Sequence, residues 1–349
     1  MQHIIWISPG FAANELDSQC IPPQQLLAQA LSKNDQVQLH IVSLHYPYTD
    51  QPYQWHGITT HPCYAPRPLR RLRIWNKAFR KLRELLRQYP KAIVHSFWMN
   101  DACLIAQMAL RRHSNRHLVT LMGQDARASN RYLPLIDKAK LHTVALSQFH
   151  AKQYYSTTGQ EVDGIIPWGL ARVELQAGDR PYHLIAIGNL IPLKQFEQYV
   201  KLVNELQSRI PGLRALLIGD GPERSRLEAQ ADALGIKDQL EFTGAIARER
   251  VMDLLAQAKV LVHPSSYESF GFVMVEALQQ GTAVVAYPVG IAEELPGIVL
   301  ARDFAELVDG TISALESAAV PQVPTAFTLE QVAHHYLQLY DDLAANKSK

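Results

Sequence analysis

Residues 263–290 read HPSSYESFGFVMVEALQQGTAVVAYPVG, and this stretch decides the fold class of the chain. The apolar run from Val260 to Val262 predicts a buried strand immediately before it, and Thr282 to Ala286 predicts a second strand near its end. Between the strands, the apolar segment that Gly271 opens and Gly281 closes predicts a short helix. A helix between two buried strands is typical of an α/β fold with a parallel sheet.

Two carboxylates frame the start of this predicted helix, with Glu268 in the loop before it and Glu276 just over one turn inside. A helix start offers unpaired N–H groups and a partial positive charge, which suit a phosphate. Here these amides belong to Ser269, Phe270, Gly271 and Phe272, and the glycine lets a ligand approach the backbone closely. Because carboxylates repel a phosphate, their partners should be neutral donors such as sugar hydroxyls. The pattern therefore predicts a nucleotide diphosphate sugar as the ligand. The alternative without a ligand is a buried strand–turn–helix with two solvated glutamates.

The motif E-S-F-G-F-x-x-x-E, with P-S ahead of it and G-T-x-V-V-A behind it, resembles the signature of family 4 of the retaining glycosyltransferases. The resemblance implies the GT-B fold, in which two Rossmann-like α/β domains face an interdomain cleft. It also implies that Glu268 contacts the donor sugar and that Glu276 contacts the ribose of the nucleotide.

Length and composition set the limits for this interpretation. The chain has 349 residues, enough for two domains, with 47% hydrophobic and 19% charged residues, so we expect a globular protein. A net charge of +1 gives no argument for a nucleic-acid partner. The cysteines, Cys20, Cys63 and Cys103, show no metal-like spacing and suit a reducing compartment. We see neither a signal peptide nor a membrane-spanning run, so we expect a cytoplasmic protein.

The first half begins with a strand at Ile4 to Ser8, a helix at Pro22 to Leu31 and a strand at Val37 to Ser43, which is a Rossmann-like start. It lacks the G-x-G-x-x-G fingerprint of dinucleotide sites. The resemblance implies a glycine-rich loop near the donor phosphate after the first strand, where this chain retains Gly10. We expect Tyr46 to Pro68 to be irregular, either shaping an acceptor pocket or packing over the sheet edge.

The segment from Arg67 to Lys91 carries ten basic residues and one acidic residue, with apolar residues at helical spacing. This pattern predicts a basic amphipathic helix. One interpretation is peripheral docking on an anionic membrane, on the inner face of the bilayer, with Trp75, Phe79 and Leu82 available beside the cations. The other is a packed helix with a solvated basic face.

Three further candidates lie at or just after the C-terminal ends of two predicted strands, Ala92 to Phe97 and Leu118 to Met122, at the edge where α/β sheets bind ligands. His95 lies in H-S-F-W, and Met122 and Asp125 lie in V-T-L-M-G-Q-D; both segments resemble the family. Met122 stands where many members have a histidine that positions the reacting sugar, partly through its backbone carbonyl. A lone histidine such as His95 is more often structural, and that alternative stays open.

The second half resembles the family most closely. In G-N-L-I-P-L-K, Gly188 precedes Asn189, which replaces an arginine, whereas Lys194 matches the family lysine that grips the donor phosphates. The alternative for this lysine is a surface residue at a helix start. The resemblance also places Gly219 of I-G-D-G-P beside the donor, and it places the turn containing Gly244 and Ile246 around the nucleobase.

The predicted organisation is an acceptor-side domain at 1–171, a donor-binding domain at 172–325, and a terminal helix at 326–349 that packs back on the first domain. Arg172 to Pro181 is predicted to be a loose interdomain linker.

The sequence predicts a retaining glycosyltransferase that takes a nucleotide diphosphate sugar, with a glycan or a lipid-linked glycan as acceptor. The absence of a D-x-D motif and of a metal-ligand cluster predicts a reaction without a metal or other cofactor. The alternatives are a sugar-nucleotide-binding homologue with weak or no transfer activity, and an epimerase or phosphorylase of the same fold. A phosphorylase would need a far longer chain, and an epimerase should lack the E-S-F-G context.

Overall fold

A computed structural model describes residues 1–67, 70–111, 113, 116–171, 178–317 and 327–345. The chain divides into two compact α/β units, Met1–Ala171 together with Ala326–Lys349, and Arg172–Thr325. The strands are β1 (Gln2–Gly10), β2 (Val37–Tyr46), β3 (Tyr53–Trp55), β4 (Ile58–Pro62), β5 (Ile93–Phe97), β6 (His117–Thr120), β7 (His142–Ala145), β8 (Gly164–Ile165), β9 (Tyr182–Ile187), β10 (Ala215–Ile218), β11 (Leu240–Gly244), β12 (Ala258–His263), β13 (Ala283–Ala286) and β14 (Ile298–Leu300). The helices are α1 (Pro22–Ser32), α2 (Arg70–Gln88), α3 (Asp101–Leu110), α4 (Gln148–Thr158), α5 (Phe196–Gln207), α6 (Arg224–Ala233), α7 (Arg248–Ala256), α8 (Phe272–Gln279), α9 (Phe304–Glu316) and α10 (Leu329–Ala345).

The first unit is built on a sheet with the strand order β3-β4-β2-β1-β5-β6-β7-β8. Its neighbouring strands run parallel except for the antiparallel pair β3 and β4. The central strand β1 is apolar, and residues 4–7 (IIWI) are fully buried. A strand buried on both faces reads as a continuous apolar run, which is why this one could be located from the sequence.

The segment from Tyr46 to Pro68 is more regular than predicted. It contains β3 and β4, which form a hairpin, and β4 extends the sheet by pairing in parallel with β2. Trp55 and Ile58 are buried at the end of the hairpin. The prediction of an irregular segment is therefore wrong, because prolines and aromatic residues at an edge do not prevent short strands from forming.

Helix α2 carries its basic residues on one face and its apolar residues on the other. Ile74, Ala78, Leu82, Leu85 and Leu86 are buried in a cluster with residues of β1, β2, β5 and α3. Trp75 and Phe79 are partly buried against the same cluster. The prediction that Leu82 is available to a membrane is thus wrong, since the core of the unit already covers it. Residues 68 and 69, within the predicted basic segment, lie outside the described residues.

Helix α10 packs within the first unit, against α1 and β5. Tyr336 and Tyr340 are fully buried there. The chain arrives beside Gly169, where an added Cβ would lie 2.8 Å from the Cα of Leu329. Only a glycine leaves room for this close approach of two backbones.

The second unit has a parallel sheet with the strand order β11-β10-β9-β12-β13-β14. Its core is formed by apolar residues of the sheet and of α5, α6 and α9. Residues 172–177 of the predicted linker lie outside the described residues. Arg180, near the end of that linker, donates hydrogen bonds to the carbonyl oxygens of Ala258 at 2.6 Å and Gln280 at 2.7 Å. The prediction of a loose segment is therefore wrong for this end of the linker, which is anchored to the second unit.

Within the described residues, no helix has both the length and the apolar character that a bilayer span requires.

Candidate functional site

The order of the strands fixes where the second unit can bind a ligand. From β9 the chain proceeds to β10 and β11 on one side, and then to β12 and β13 on the other side. The loops that follow β9 and β12 therefore leave the sheet in different directions, and ligands bind in the crevice at such a switch point. Lys194 follows β9 and Glu268 follows β12, so the topology brings both residues to this crevice.

Lys194 and Glu268 form an ion pair at this switch point. The ammonium of Lys194 contacts Oε1 of Glu268, and Nε2 of His263 lies 2.8 Å from the same oxygen. The Lys194 and Glu268 side chains are 19% and 13% exposed, so a ligand can reach them, whereas the His263 side chain is 1% exposed. Burial raises the pKa of the Glu268 carboxyl, but Lys194 and His263 outweigh it and lower the pKa to about 2. Glu268 is thus a carboxylate at neutral pH.

Glycines let the loops beside this pair approach each other. Gly219 has φ +137°, and a Cβ there would lie 1.9 Å from the carbonyl oxygen of Gly188. Gly290 has φ +61°, and a Cβ there would lie 2.4 Å from the carbonyl oxygen of Phe270. Larger residues would push these backbones apart, so the glycines allow the loop after β9 to contact the loop after β10, and the loop after β12 to contact the loop after β13.

The start of α8 has the form that the sequence predicts. Gly271 precedes the helix with φ +85°, a conformation that favours glycine. Phe270 is buried and Phe272 is half-buried, with 6.3 Å between their ring centroids. Backbone N–H groups at this end are directed away from the helix body and are suited to an anion.

Glu276 makes a second ion pair, which sequence reasoning missed. Its carboxylate contacts Nη1 of Arg248, the first residue of α7, and the Arg248 guanidinium lies 5.3 Å from the ring centroid of Phe272. Burial raises the pKa of Glu276, and Arg248 acts against that shift. The Glu276 side chain is 7% exposed. No signal in the sequence indicated Arg248, because it lies 28 positions earlier outside the recognised motif.

The other predicted donor contacts lie at the ends of strands in the same unit. Gly244 is buried at the end of β11 with φ +74°, and Ile246 is half-buried just before α7. Asn189 is exposed directly after Gly188. Its carbonyl oxygen accepts a hydrogen bond from the N–H of Ile191 at 2.8 Å, which closes the turn that leads to Lys194.

Asp125 in the first unit is engaged by backbone groups. Its carboxylate accepts hydrogen bonds from the N–H groups of Met99 at 2.9 Å, Met122 at 3.2 Å and Gly123 at 2.6 Å. The Asp125 side chain is buried and holds the loop after β6 to the loop after β5. The structure therefore shows that Asp125 organises these two loops, and its catalytic role stays a prediction. Met122 is 9% exposed at the same loop, and its backbone is fixed by that carboxylate.

The structure contradicts the predicted catalytic role of His95. The residue is fully buried, and both ring nitrogens are engaged: Nδ1 lies 2.8 Å from the Tyr340 hydroxyl, and Nε2 lies 2.8 Å from Thr120 Oγ1. Burial holds its pKa well below the usual value. A side chain with no exposed surface cannot contact a ligand, so His95 is a core residue. Gly10 is buried at the end of β1. Its carbonyl oxygen accepts a hydrogen bond from Ser8 Oγ at 2.8 Å.

Residues 170–297 match the family described as glycosyl transferases group 1. The match covers a little over a third of the chain. The 2-deoxystreptamine N-acetyl-D-glucosaminyltransferase of Streptomyces fradiae is 27% identical over 254 residues, covering 65% of this chain and 56% of that protein. The chain spans about half the length of the curated relatives it matches.

Solved structures share the fold across the whole chain. A sucrose-phosphate synthase from Thermosynechococcus elongatus matches with a TM-score of 0.77 and 20% identity, covering 99% of this chain and 100% of that one. A protein from Anabaena, solved in complex with UDP and glucose, matches with a TM-score of 0.68 and 16% identity, covering 99% and 97%. The two α/β units are those of the GT-B fold.

Proposed function

We propose that the chain is a retaining glycosyltransferase that transfers a sugar from a nucleotide diphosphate sugar to a glycan or lipid-linked glycan acceptor without a metal. The observation that carries this proposal is the contact between Lys194 and Glu268 at the switch point of the second unit. A cation suited to a diphosphate and a carboxylate suited to sugar hydroxyls lie side by side there. The family of residues 170–297 supports the same reaction class.

In the proposed reaction, the bond between the anomeric carbon and the diphosphate oxygen breaks, and the anomeric carbon forms a bond to the acceptor oxygen. Negative charge grows on the departing diphosphate, where Lys194 and the amides at the start of α8 stabilise it. Glu268 accepts hydrogen bonds from the sugar hydroxyls. Its low pKa keeps the carboxylate charged, which suits it to this role. The acceptor's proton passes to the departing phosphate oxygen, so no protein base is required.

Glu276 is proposed to bind the ribose of the donor. Because Arg248 already contacts its carboxylate, a ribose hydroxyl would share that carboxylate with the guanidinium. The Anabaena protein of the same fold was solved with UDP, which supports a nucleoside diphosphate as the bound portion of the donor.

The basic face of α2 is proposed to contact an anionic membrane from the cytoplasmic side when the acceptor is lipid-linked. Its apolar face is buried in the first unit, so the contact would rest on charge alone. Within the described residues, a group of three or more potential metal-ligating side chains is not found, and independence from metals stays a prediction.

The decisive experiment is a screen of UDP, GDP, ADP and their sugar conjugates for thermal stabilisation, followed by assays of donor hydrolysis and transfer with and without EDTA. Proton NMR of the product then reports the anomeric configuration. Inversion of that configuration, or full loss of activity in EDTA, would contradict the proposal.

The second candidate function is a sugar-nucleotide-binding protein with weak or no transfer activity. Asn189 favours it, because this exposed residue stands where the resemblance places a phosphate-binding arginine. Stabilisation by a nucleotide sugar without turnover for any acceptor would support this candidate.

A further inference from the structure

We propose that His263 is a positioning residue that holds the Glu268 carboxylate in place when Lys194 turns from Glu268 to the donor diphosphate. This inference rests on the proposed function and adds a residue that neither the motif nor the family resemblance indicates. Both neighbours contact a single oxygen of Glu268, Oε1.

Lys194 and His263 both bind Oε1 of Glu268, but the two donors differ in freedom. Lys194 has a long, flexible side chain that is 19% exposed. His263 is the last residue of β12, paired with Ala286 of β13, and its carbonyl oxygen accepts a hydrogen bond from the N–H of Tyr287 at 3.3 Å. The imidazole is therefore fixed by a central strand of the sheet, whereas the ammonium can move.

The proposed reaction requires that movement. When the ammonium of Lys194 binds a phosphate oxygen, its contact with Glu268 weakens. Of the two side-chain donors that the described residues supply to Oε1, only His263 then remains. A carboxylate that is only 13% exposed needs such a donor, because a buried charge without one is costly. His263 thus keeps Glu268 in the orientation that the donor sugar meets.

The surroundings of the imidazole indicate which tautomer it adopts. Nε2 faces a carboxylate oxygen and so donates, while Nδ1 is buried and has no hydrogen-bond partner among the described residues. A protonated ring would bury an unpaired N–H at Nδ1, whereas the neutral Nε2–H tautomer leaves only a lone pair there. The geometry therefore places the N–H that faces Glu268 on Nε2. With 1% of its side chain exposed, His263 does not reach the reacting atoms.

The test compares His263→Leu with His263→Gln, because the glutamine amide can place a donor near the position of Nε2 and leucine cannot. UDP-glucose and GDP-mannose serve as donor probes, and free UDP and GDP serve as probes without a sugar. For the donor that the wild type hydrolyses, we expect His263→Leu to lower kcat about tenfold to a hundredfold, the loss of one charge-assisted hydrogen bond. Affinity for the matching free nucleotide should change less than twofold, and His263→Gln should recover most of the rate.

A second readout does not depend on turnover. In protein labelled with ¹⁵N-histidine, the resonances that disappear in His263→Gln identify His263 among the 14 histidines. They should show a protonated Nε2 and an unprotonated Nδ1. If His263→Leu does not fold, His263→Asn replaces it, because its shorter amide falls short of Glu268.

A wild-type kcat in the folded leucine variant, or an unprotonated Nε2 in the spectrum, would overturn the role of His263. A wild-type protein that neither binds nor hydrolyses any nucleotide sugar would instead overturn the proposed function. The ¹⁵N spectrum would in that case still decide whether His263 donates to Glu268.

Discussion

Nδ1 of His95 lies 2.8 Å from the hydroxyl of Tyr340, although 245 positions separate the two residues in the chain. Nε1 of Trp6 donates to the same hydroxyl at 3.1 Å. One phenol therefore connects α10 to β1 and to β5, in a region where all three side chains are fully buried.

Replacing Tyr340 with phenylalanine should destabilise the first unit by about 1–3 kcal/mol, because the buried Trp6 N–H and the His95 ring each lose a partner. Urea unfolding followed by tryptophan fluorescence measures the effect. Tyr336→Phe is the matched control, since that hydroxyl contacts Thr120 Oγ1 at 3.1 Å and its loss should cost less. Equal stability of the two variants would contradict the role of this network.

Lys194→Ala should lower kcat more than it weakens donor binding, because charge on the diphosphate grows as the glycosidic bond breaks. The measurement is kcat alongside the dissociation constant for the donor. Lys201→Ala, an exposed lysine on the neighbouring α5, controls for general loss of charge. A variant with full kcat and only a raised KM would show that Lys194 stabilises the bound donor and the transition state equally.

Glu276→Gln should weaken binding of the free nucleoside diphosphate about tenfold to a hundredfold, as expected when a buried charge-assisted hydrogen bond is lost. Isothermal titration calorimetry with UDP and GDP gives the affinity. Arg248→Met should be tested beside it, because it leaves the carboxylate but removes its ion pair. Unchanged nucleotide affinity in folded Glu276→Gln would contradict the proposal that Glu276 binds the ribose.

Binding to anionic vesicles should depend steeply on salt if the basic face of α2 contacts a membrane, since attraction near the surface is worth about 1 kcal/mol per cation and decays within a Debye length. Replacing Arg73, Arg80 and Arg87 with glutamate should abolish binding in a sedimentation assay and leave donor hydrolysis intact. The same reversal at Lys201, Arg209 and Arg250, exposed residues of the second unit, is the control. If wild-type protein does not bind anionic vesicles at low salt, the basic face of α2 is a solvated face that contacts no membrane.

Acid should destabilise the protein as pH falls from about 6.5 to about 4. Burial, together with His3 and His61, lowers the pKa of His40 to about 4, against 6.5 for a free histidine. Between these values the unfolded chain binds a proton that the folded chain does not, so the free energy of unfolding falls by about 3 kcal/mol from His40 alone. His40→Gln should flatten this part of the curve in urea unfolding at several pH values. An unchanged slope would show that His40 is protonated in the folded state.

The elements that sequence reasoning located well are those with a strong local pattern. Strand β1, strand β12 and helix α8 are each built around an apolar run with glycine or proline beside it, and their positions differ from the predictions by only a few residues. The hairpin of β3 and β4 was missed because short edge strands carry little pattern of their own. They form because β2 offers a paired edge, which is a property of the folded sheet rather than of the segment.

The candidate site divides in the same way. Lys194, Glu268 and the glycines could be predicted because the motif fixes their spacing along the chain. Arg248 and His263 could not, since the first is brought to Glu276 by the packing of α7 against α8, and the second is defined by the direction of one side chain at the end of β12. For His95 the motif was misleading. Its place in a motif-like strand suggested a ligand contact, but its Nδ1 contacts the hydroxyl of Tyr340 in α10.

The membership of α10 in the first unit has a consequence for how the protein is made. The second unit is continuous in sequence, so it can fold on the ribosome as soon as its last strand and helix emerge. The first unit is split, and Tyr340, a buried partner of both Trp6 and His95, is synthesised only after the second unit. Until α10 is synthesised, the rest of the first unit therefore lacks the apolar cover that this helix provides, and we expect it to be the part that needs chaperone protection.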